Sequence, residues 1–354
     1  MDEAIRRHLR EAFAATAPVA LVGPEPTDPG YLMLAAERSR PEPIRRLSKA
    51  AGGWICLALT ADRCAALGLE PISADPTGRL TFTSTFEAEG DQRGSISYAA
   101  QAASIAAATG SRVDPGSIHT PGNMQALMAL EGGVLRRSGP AETATDLAAE
   151  LGLEAAVVVA EILDDHGRSV PSSQLRRREH TRVEVADVAA ARLREKPILR
   201  RVAAARMPTR FGEFTAIGFE APGLSPGPVA LVMGDVRGAE AVPVRVQRRC
   251  VLGEALHSKA CRCDAELERA LTAIARRGSG AVIHVDGAAG ARSSLVGAPE
   301  PHQACADPAA RWREDVAIAE VIADLSLASV ALDSGSPSRP ARLTRLGVPL
   351  EQGR

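Results

Sequence analysis

The stretch RRCVLGEALHSKACRCDAEL, residues 248–267, decides how the second half of the chain is interpreted. It carries Cys250, Cys261 and Cys263 in the spacing Cys-x10-Cys-x-Cys. Zinc prefers thiolate ligands, and three protein ligands leave a fourth position for water, as in catalytic zinc sites. The spacing alone fits a buried thiol cluster beneath a helix equally well. It therefore predicts either a metal site or packed free thiols.

The residues around the thiols favour the metal interpretation. Four cations flank the cysteines and would stabilise thiolates: Arg248, Arg249, Lys259 and Arg262. A helix is predicted over 264–277, with Asp264 in its first turn and two arginines in its last turn. The start of this helix, together with the arginines, suits an anion. His257 lies between the ligands, and we interpret it as an ordinary helix or loop histidine.

Outward from this stretch, strand-like and helix-like segments alternate along the chain, which predicts an α/β (α+β) fold. Predicted strands in the first half are 19–22, 54–60, 79–88 and 155–163, and predicted helices include 2–15 and 98–110. In the second half, the predicted strands are 211–220, 228–236, 241–249, 280–286 and 328–333, with a helix over 315–326. Residues 287–311 and 334–341 are expected to be loops. A helix ends before Pro197, so we expect two domains, 1–197 and 198–354.

Composition limits the class of protein. The formal net charge is -1, so no general attraction to nucleic acid is expected. No stretch approaches the roughly 18 apolar residues that span a bilayer, and the charged N-terminus does not resemble a signal peptide. These features predict a cytoplasmic protein with no membrane partner. Its six cysteines are then thiols or metal ligands rather than disulfides, and Cys56, Cys64 and Cys305 receive no role.

Residues 208–285 resemble GTP cyclohydrolase II. The resemblance rests on PTRFGEFTAIGFE, PVALVMGD and VPVRVQRRCVLGEALHSKACRCDAELERALTAIARRGSGAVIH. That family's pattern is V-R-V-H-S-E-C, then T-G-D, then S-x-R-C-D-C and an L-E-x-A-L helix. The resemblance implies one zinc ion per chain, held by Cys250, Cys261 and Cys263. It also implies hydrolysis of the imidazole ring of GTP, with release of formate and pyrophosphate, for riboflavin synthesis.

The resemblance implies that the strand before Cys250 contacts a purine nucleotide, GTP or an analogue. Five residues of this strand are the candidates: Arg245, Val246, Gln247, Arg248 and Arg249. The first two match the family, whereas the last three replace its H-S-E, so these contacts must differ. Glu266 stands where the family has a glutamine that reads guanine. A carboxylate only accepts hydrogen bonds, which still suits the guanine N1 and N2 groups.

The resemblance weakens after residue 285. The family's R-Q-E-G-R loop falls on DGAAG, 286–290, so its phosphate-binding arginine is lost unless Arg292 reaches in from a shifted loop. A D-x-R pair falls on Arg311 and Arg313. The resemblance implies a catalytic role for Arg313. Arg311 replaces the carboxylate that is the proposed proton acceptor of the family. Both arginines are explained equally well as solvent-exposed residues near the start of a helix. A T-N-N-P-x-K element lies over 334–339, with Ser334 and Arg339 as conservative replacements that imply nucleotide contacts.

Residues 1–197 resemble 3,4-dihydroxy-2-butanone 4-phosphate synthase, which precedes the cyclohydrolase in bifunctional riboflavin proteins. The segments that carry this resemblance are SKAAGGWICLALTADRCAALGL and HTPGNMQALMALEGGVLRRSGPAETATDLAAELGLEAAVVVAEILDDHG. The family's Mg²⁺ ligands are replaced by Thr27 and Pro140, and Thr120 and Asn123 stand for an Arg and a His. We therefore expect no Mg²⁺ site and no synthase activity, although Glu142 and Glu161 survive.

The sequence is compatible with three functions. The first is a zinc-dependent hydrolase of GTP or a related purine nucleotide, with impaired or altered activity. The second is an inactive or regulatory paralogue that keeps the fold and the zinc. The third is a zinc enzyme repurposed for another heterocycle. The family resemblance also implies a homodimer, and fold alone cannot choose among the three functions.

Overall fold

The structure is a computed structural model that describes residues 1–74, 78–90, 94–110, 113–175, 181–222, 224–259, 261–286 and 308–351. It divides into two compact units, Met1–Glu195 and Lys196–Arg354. Among the described residues, no helix combines the length and the apolar character that crossing a bilayer requires. Residues 287–290, Arg292 and Cys305, which the sequence singled out, lie outside the described part of the chain.

The first unit is an eight-stranded sheet with helices packed against it, within the described residues. Its strand order is β4-β5-β6-β3-β7-β2-β1-β8, with β3 parallel to β6 and β1 parallel to β8. The strands are β1 Val19–Val22, β2 Tyr31–Ala35, β3 Gly52–Thr60, β4 Pro71–Ala74, β5 Thr81–Ala88, β6 Ile118–Ala129, β7 Ala156–Ile162 and β8 Arg182–Glu184. The helices are α1 Glu3–Ala14, α2 Pro41–Ala51, α3 Ala61–Ala66, α4 Tyr98–Thr109, α5 Pro140–Glu150, α6 Ser172–Leu175 and α7 Val185–Glu195.

Local chemistry explains several of these boundaries. The Thr60 hydroxyl accepts a hydrogen bond from the Arg63 N–H and caps the start of α3. Gly52 ends α2 with a φ of 75°, a conformation that glycine adopts at little cost. Buried aliphatic side chains from the centre of the sheet, such as Leu57 and Val158, form the core with residues of α2 and α4. The sheet is therefore held by burial of apolar surface on its helix-covered side.

The second unit is built on a six-stranded sheet of order β14-β12-β13-β11-β10-β9. β12 is parallel to both β13 and β14, and the remaining pairs are antiparallel. The strands are β9 Arg200–Thr209, β10 Gly212–Glu220, β11 Val229–Met233, β12 Val242–Arg248, β13 Gly280–Val285 and β14 Val330–Asp333. The described helices are α8 Cys263–Arg277, α9 Pro308–Asp324 and α10 Arg339–Arg345, and a π-helical turn covers Val251–Ala255.

Residues of β12 alternate between two sides of this sheet, and each side faces a different helix. Arg245 contacts Glu266 of α8, whereas Arg248 contacts Glu314 of α9. Val282 of β13 joins Leu271 of α8 in one hydrophobic cluster. The parallel strands β12, β13 and β14 end at the same edge, where ligands bind in many α/β sheets.

Two predicted loops contain helical residues, and the predicted helix 315–326 was placed too late. α9 begins at Pro308 and ends at Asp324, and α10 begins at Arg339 inside the predicted loop 334–341. Prolines misled the prediction, because a proline interrupts a helix but suits its first turn, where no N–H partner is needed. β9 was also missed, since it lies at the sheet edge with nearly every residue exposed and gives no alternating pattern.

Candidate metal centre

The three predicted zinc ligands converge. Their sulfur atoms all lie within 4.8 Å of one another, and the Sγ atoms of Cys250 and Cys261 are 3.7 Å apart. Two sulfurs that are each about 2.3 Å from one tetrahedral zinc ion lie about 3.8 Å apart, so the spacing fits a shared metal. Cys250 follows β12, Cys263 begins α8, and Cys261 is the most exposed of the three.

The protonation of the thiols depends on whether a cation is bound among them. Burial, reinforced by the neighbouring thiols, raises the pKa of Cys263, and burial raises the pKa of Cys250 as well. Three thiolates at this separation repel one another unless a positive charge lies between them. A divalent ion that binds thiolates removes this repulsion, so the donor set fits zinc with three protein ligands.

Gly253 makes room for the cluster. Its N–H donates to Cys250 Sγ at 3.3 Å, within the π-helical turn. A Cβ atom at this position would lie 2.6 Å from Cys261 Sγ and 3.1 Å from Cys263 Cβ, which is too close for real contacts. The turn therefore needs glycine here for lack of space.

A chain of hydrogen bonds lies beside the cysteines, on the side of the sheet that faces α8. Gln247 donates through Nε2 to Glu254 Oε1 at 2.8 Å, and Glu254 Oε2 lies 3.0 Å from His284 Nε2. Burial raises the pKa of Glu254, but the hydrogen bonds from His284 and Gln247 outweigh this effect and lower it overall. An ionised carboxylate only accepts, so His284 carries its proton on Nε2 and a neutral ring keeps a lone pair on Nδ1.

Arg245 is enclosed by acceptors on the same side of the sheet. It donates to Glu266 Oε2 at 2.7 Å and to Asp333 Oδ1 at 2.8 Å. Its Nε and Nη2 also lie 3.3 Å and 3.2 Å from Gln247 Oε1. Two carboxylates and an amide oxygen thus already satisfy the side chain that the sequence assigned to a nucleotide.

A second ionic cluster lies on the opposite side of β12. Glu314 Oε2 accepts from Arg248 at 2.7 Å and from Arg339 at 2.8 Å. Asp315 Oδ1 accepts from Arg339 Nε at 3.0 Å, and its other oxygen accepts from Arg342. Burial lowers the pKa of Arg339, and the neighbouring carboxylates oppose this effect. We call Arg248, Glu314, Asp315, Arg339 and Arg342 the α9 ion cluster.

The remaining predicted site residues lie nearby with different surroundings. Arg249 pairs with Asp286 at 3.0 Å. Val246 is buried and lies opposite Ile283 in the pairing of β12 with β13. The Ser334 hydroxyl donates to the Ser336 carbonyl and shapes the loop after β14. Arg313 is half-buried in the early turns of α9, and no ion pair joins it to another described residue.

Sequence reasoning missed three of the acidic residues around the site. Glu254, the partner of Gln247 and His284, carried a signal, since it stands at the aspartate of the family's T-G-D. Asp333 and Glu314 carried none, because they are 88 and 66 residues away from the arginines they bind. Only the fold brings such distant carboxylates to the end of β12.

In the first unit, acidic and polar side chains of the synthase-like region form hydrogen bonds and ion pairs with other residues of the same unit. Asp28 is buried, pairs with Arg79 and accepts from the Glu25 N–H at 2.9 Å. Glu142 is fully buried and accepts from Arg137 and from the Leu130 N–H at 2.8 Å. Burial raises the pKa of Glu142, and the Arg137 guanidinium opposes this.

Asn123, which stands for the family's histidine, is engaged in the same way. Its Nδ2 donates to the Ser95 carbonyl at 2.7 Å, and its Oδ1 accepts from the Ser104 hydroxyl at 2.9 Å. The amide is therefore held by neighbouring segments on both of its polar atoms.

Comparison with known proteins agrees with both halves of this description. The family model of 3,4-dihydroxy-2-butanone 4-phosphate synthase matches residues 7–190, and that of GTP cyclohydrolase II matches 200–352. The riboflavin biosynthesis protein RibBA of Salinispora arenicola is 34% identical over 339 residues, covering 90% of this chain and 80% of the relative. RibBA of Rhodococcus erythropolis is 30% identical over 370 residues, covering 98% and 87%.

A solved structure shares the complete architecture. RibBX from A. baumannii, a two-domain 3,4-dihydroxy-2-butanone 4-phosphate synthase, aligns with a TM-score of 0.74 and 26% identity. The alignment covers 98% of this chain and 99% of RibBX. The fold and its sites thus define a two-domain α/β protein with a synthase-type unit followed by a cyclohydrolase-type unit. The chain belongs to the riboflavin biosynthesis protein RibBA family.

The close approach at Gly253 generates a prediction about metal affinity. We expect Gly253→Ala to weaken zinc binding by at least about tenfold, because the added methyl group displaces the Cys261 sulfur and presses on the Cβ of Cys263. Zinc content after dialysis against a graded chelator measures this. Gly218→Ala is the matched control, since its Cβ would meet only Val202 Cγ2 at 3.8 Å. Equal zinc retention by both variants would contradict the packing argument.

Proposed function

We propose that the second unit binds one zinc ion through Cys250, Cys261 and Cys263 and hydrolyses the ring of a purine-type substrate. The convergence of the three sulfur atoms carries this proposal. GTP cyclohydrolase II, the family of this unit, implies a purine nucleotide as substrate. Zinc bound by three protein ligands lowers the pKa of a water molecule in the fourth position and so supplies a nucleophile near neutral pH.

We assign proton transfer to His284. Its Nδ1 would accept a proton from the attacking water as the water oxygen bonds to the ring carbon between two nitrogens. The electron pair of the C=N bond would move to the ring nitrogen, which then receives the proton from His284. The other C–N bond of this carbon would break as its nitrogen takes the hydroxyl proton, which opens the ring to a formamide. A second water would cleave the remaining C–N bond and release formate and the amine. Glu254 supports this step, because its carboxylate holds the ring through Nε2 and stabilises the imidazolium. This pair takes the place of the proton acceptor that Arg311 replaces.

We propose that the first unit has no synthase activity and serves as a scaffold. The replacement of the metal ligands by Thr27 and Pro140 supports this, since neither side chain offers a carboxylate or an imidazole to Mg²⁺. The internal engagement of Asp28 and Glu142 supports it further, because carboxylates already bonded to arginines are poor ligands for a second cation.

A second candidate is an inactive or regulatory paralogue that keeps the fold and the zinc. The pairing of Arg245, Arg248 and Arg339 with carboxylates favours it, because these cations are not free to bind phosphate. RibBX shows that the two-domain architecture is found in a protein described by its synthase activity, so architecture alone does not establish cyclohydrolase chemistry. Turnover separates the two candidates.

The first test follows formate release by zinc-loaded protein from a panel of purine nucleotides and nucleosides. We expect turnover on at least one purine, and we expect Cys261→Ser to lower both zinc content and turnover by at least about a hundredfold. Cys64→Ser is the control, because Cys64 is a buried thiol of the first unit. Binding of a purine without turnover would establish the inactive paralogue instead.

The proton-transfer role of His284 has its own test. We expect His284→Asn to lower turnover by about 10² to 10⁴ while zinc stoichiometry stays at one per chain. The loss should fall on kcat with KM nearly unchanged, because a proton-transfer group acts on the chemical step and not on binding. His257→Asn is the control, since His257 is an exposed histidine near the same cysteines. A variant that keeps the wild-type kcat would exclude His284.

Synthase activity is tested with ribulose 5-phosphate and Mg²⁺. We expect no formate above the background of the reaction without protein, because the first unit lacks the ligands for the metal. An intact synthase of the same family, assayed in parallel, serves as the positive control. Formate release at a rate near that of the intact enzyme would refute the scaffold role.

A further inference from the structure

The arginines around the candidate site are neutralised by carboxylates of the protein itself. Four predicted nucleotide contacts are arginines, and carboxylates bind all of them: Arg245, Arg248, Arg249 and Arg339. The carboxylates that bind them are Glu266, Asp333, Glu314, Asp286 and Asp315. A site prepared for a triphosphate would instead present cations whose partners are missing until the ligand arrives.

The position of Arg245 shows why its charge is unavailable. Its side chain is only 7% exposed, whereas Glu266 and Asp333 are 37% and 54% exposed. The two carboxylates are therefore the solvent-accessible members of the group, and the guanidinium lies beneath them. A phosphate approaching this point would meet negative charge first, and like charges in contact are strongly unfavourable.

Arg339 of the α9 ion cluster is out of reach because it is buried together with its partners. Arg339, Glu314 and Asp315 are 3%, 5% and 2% exposed, and the arginine contacts both carboxylates. A phosphate could reach Arg339 only by displacing one of them, which would leave a buried carboxylate without its partner. The more exposed arginines of the cluster, Arg248 and Arg342, are each paired with one of the same two carboxylates.

Few of the cations predicted for the nucleotide site are left for a triphosphate. Arg313 is the one arginine among the predicted site residues that has no ion pair within the described residues, and it is a single charge. The segment 287–307, where the family has its R-Q-E-G-R loop, contains Arg292 as its sole arginine and has no lysine. Lys259 and Arg262 flank the cysteines, but the resemblance gives neither of them a nucleotide contact. Arg313 and Arg292 alone leave most of the charge of a triphosphate unbalanced.

The exposed acceptors favour a ligand of different chemistry. Glu266 uses Oε2 for Arg245, and its Oε1 has no protein donor among the described residues. Asp333 presents a second partly exposed carboxylate. Carboxylates accept hydrogen bonds only, so they suit the ring N–H and amino groups of an aminopurine or a related amino-substituted heterocycle.

We propose that the site takes an amino-substituted purine nucleoside or a related heterocycle that carries no triphosphate. The inference rests on the proposed function for the location of the ligand beside the thiol cluster. It goes further in the class of substrate, because the self-neutralised arginines select against the triphosphate of GTP.

The test measures binding to the full-length, zinc-loaded chain by calorimetry, with guanosine, GMP and GTP as the probes. We expect guanosine to bind about tenfold or more tightly than GTP, with an affinity that changes little between low and high salt. Tighter binding of GTP, weakened by salt, would overturn the inference. So would failure of all three probes to bind protein that holds zinc.

Two variants test whether the carboxylates that pair with the arginines are what weakens the binding of GTP. Asp333→Asn and Glu314→Gln each remove one carboxylate charge from an arginine, so we expect each to raise the affinity for GTP by about tenfold. Glu314→Gln should leave guanosine binding nearly unchanged, whereas Asp333→Asn also removes an acceptor and should weaken guanosine binding. Asp333 is exposed, so that variant remains informative if the buried Glu314→Gln unfolds the protein. Glu268→Gln is the control, because it removes one negative charge from α8 where the partner is Arg210. No change in GTP affinity in folded Asp333→Asn would contradict the proposal.

The experiments can reject the proposed ligand class without rejecting the proposed function, and the reverse. Ring opening by zinc-loaded protein with a preference for GTP would end this inference and leave the hydrolase standing. Absence of stoichiometric zinc would defeat the proposed function itself, and guanosine binding by such protein would still support the ligand class.

Discussion

The convergence of three thiol groups is the constraint on which this stretch of the second unit depends. Cys250, Cys261 and Cys263 come from the end of a strand, a loop and the first residue of a helix, so their convergence fixes how these elements meet. Without a cation the cluster would hold its protons, as the raised pKa of Cys263 indicates. A bound cation would add its binding energy to the energy of folding, because the unfolded chain has no preformed site.

The alternation of side chains along β12 divides the surroundings into two chemically distinct regions. On the side that faces α8, Gln247 links Arg245 to Glu254 and so to His284, next to the thiols. On the other side, Arg248 enters the α9 ion cluster. A strand has a period of two, so neighbouring residues in sequence necessarily serve different regions. The five consecutive residues that resemblance assigns to the nucleotide therefore cannot all present side chains to one ligand.

Much of the fold could be predicted from the sequence, because it depends on local patterns. Periodic apolar residues gave α1, α8 and most strands, and the resemblance correctly placed synthase-type and cyclohydrolase-type domains in this order. The thiol cluster was foreseen from spacing and resemblance together, and the structure brings its sulfurs close enough for one metal. Some missed elements lacked a local signal: β9 is exposed along its length, and α9 and α10 begin with prolines or next to them. The strands β2 and β6 were missed although their apolar runs carry a signal.

The ionic partners were beyond sequence reasoning for a deeper reason. An arginine that contacts phosphate and one that is neutralised by a distant carboxylate look identical in a sequence, since the difference lies in what the fold brings beside it. Arg339 illustrates this: resemblance assigns it to a nucleotide, yet burial between Glu314 and Asp315 gives it a structural environment. Removing either carboxylate would uncover a buried charge, so such a cluster resists stepwise reversal. Arg339 is thus held by its own carboxylates, and the thiol cluster on the other side of β12 places no demand on this pairing.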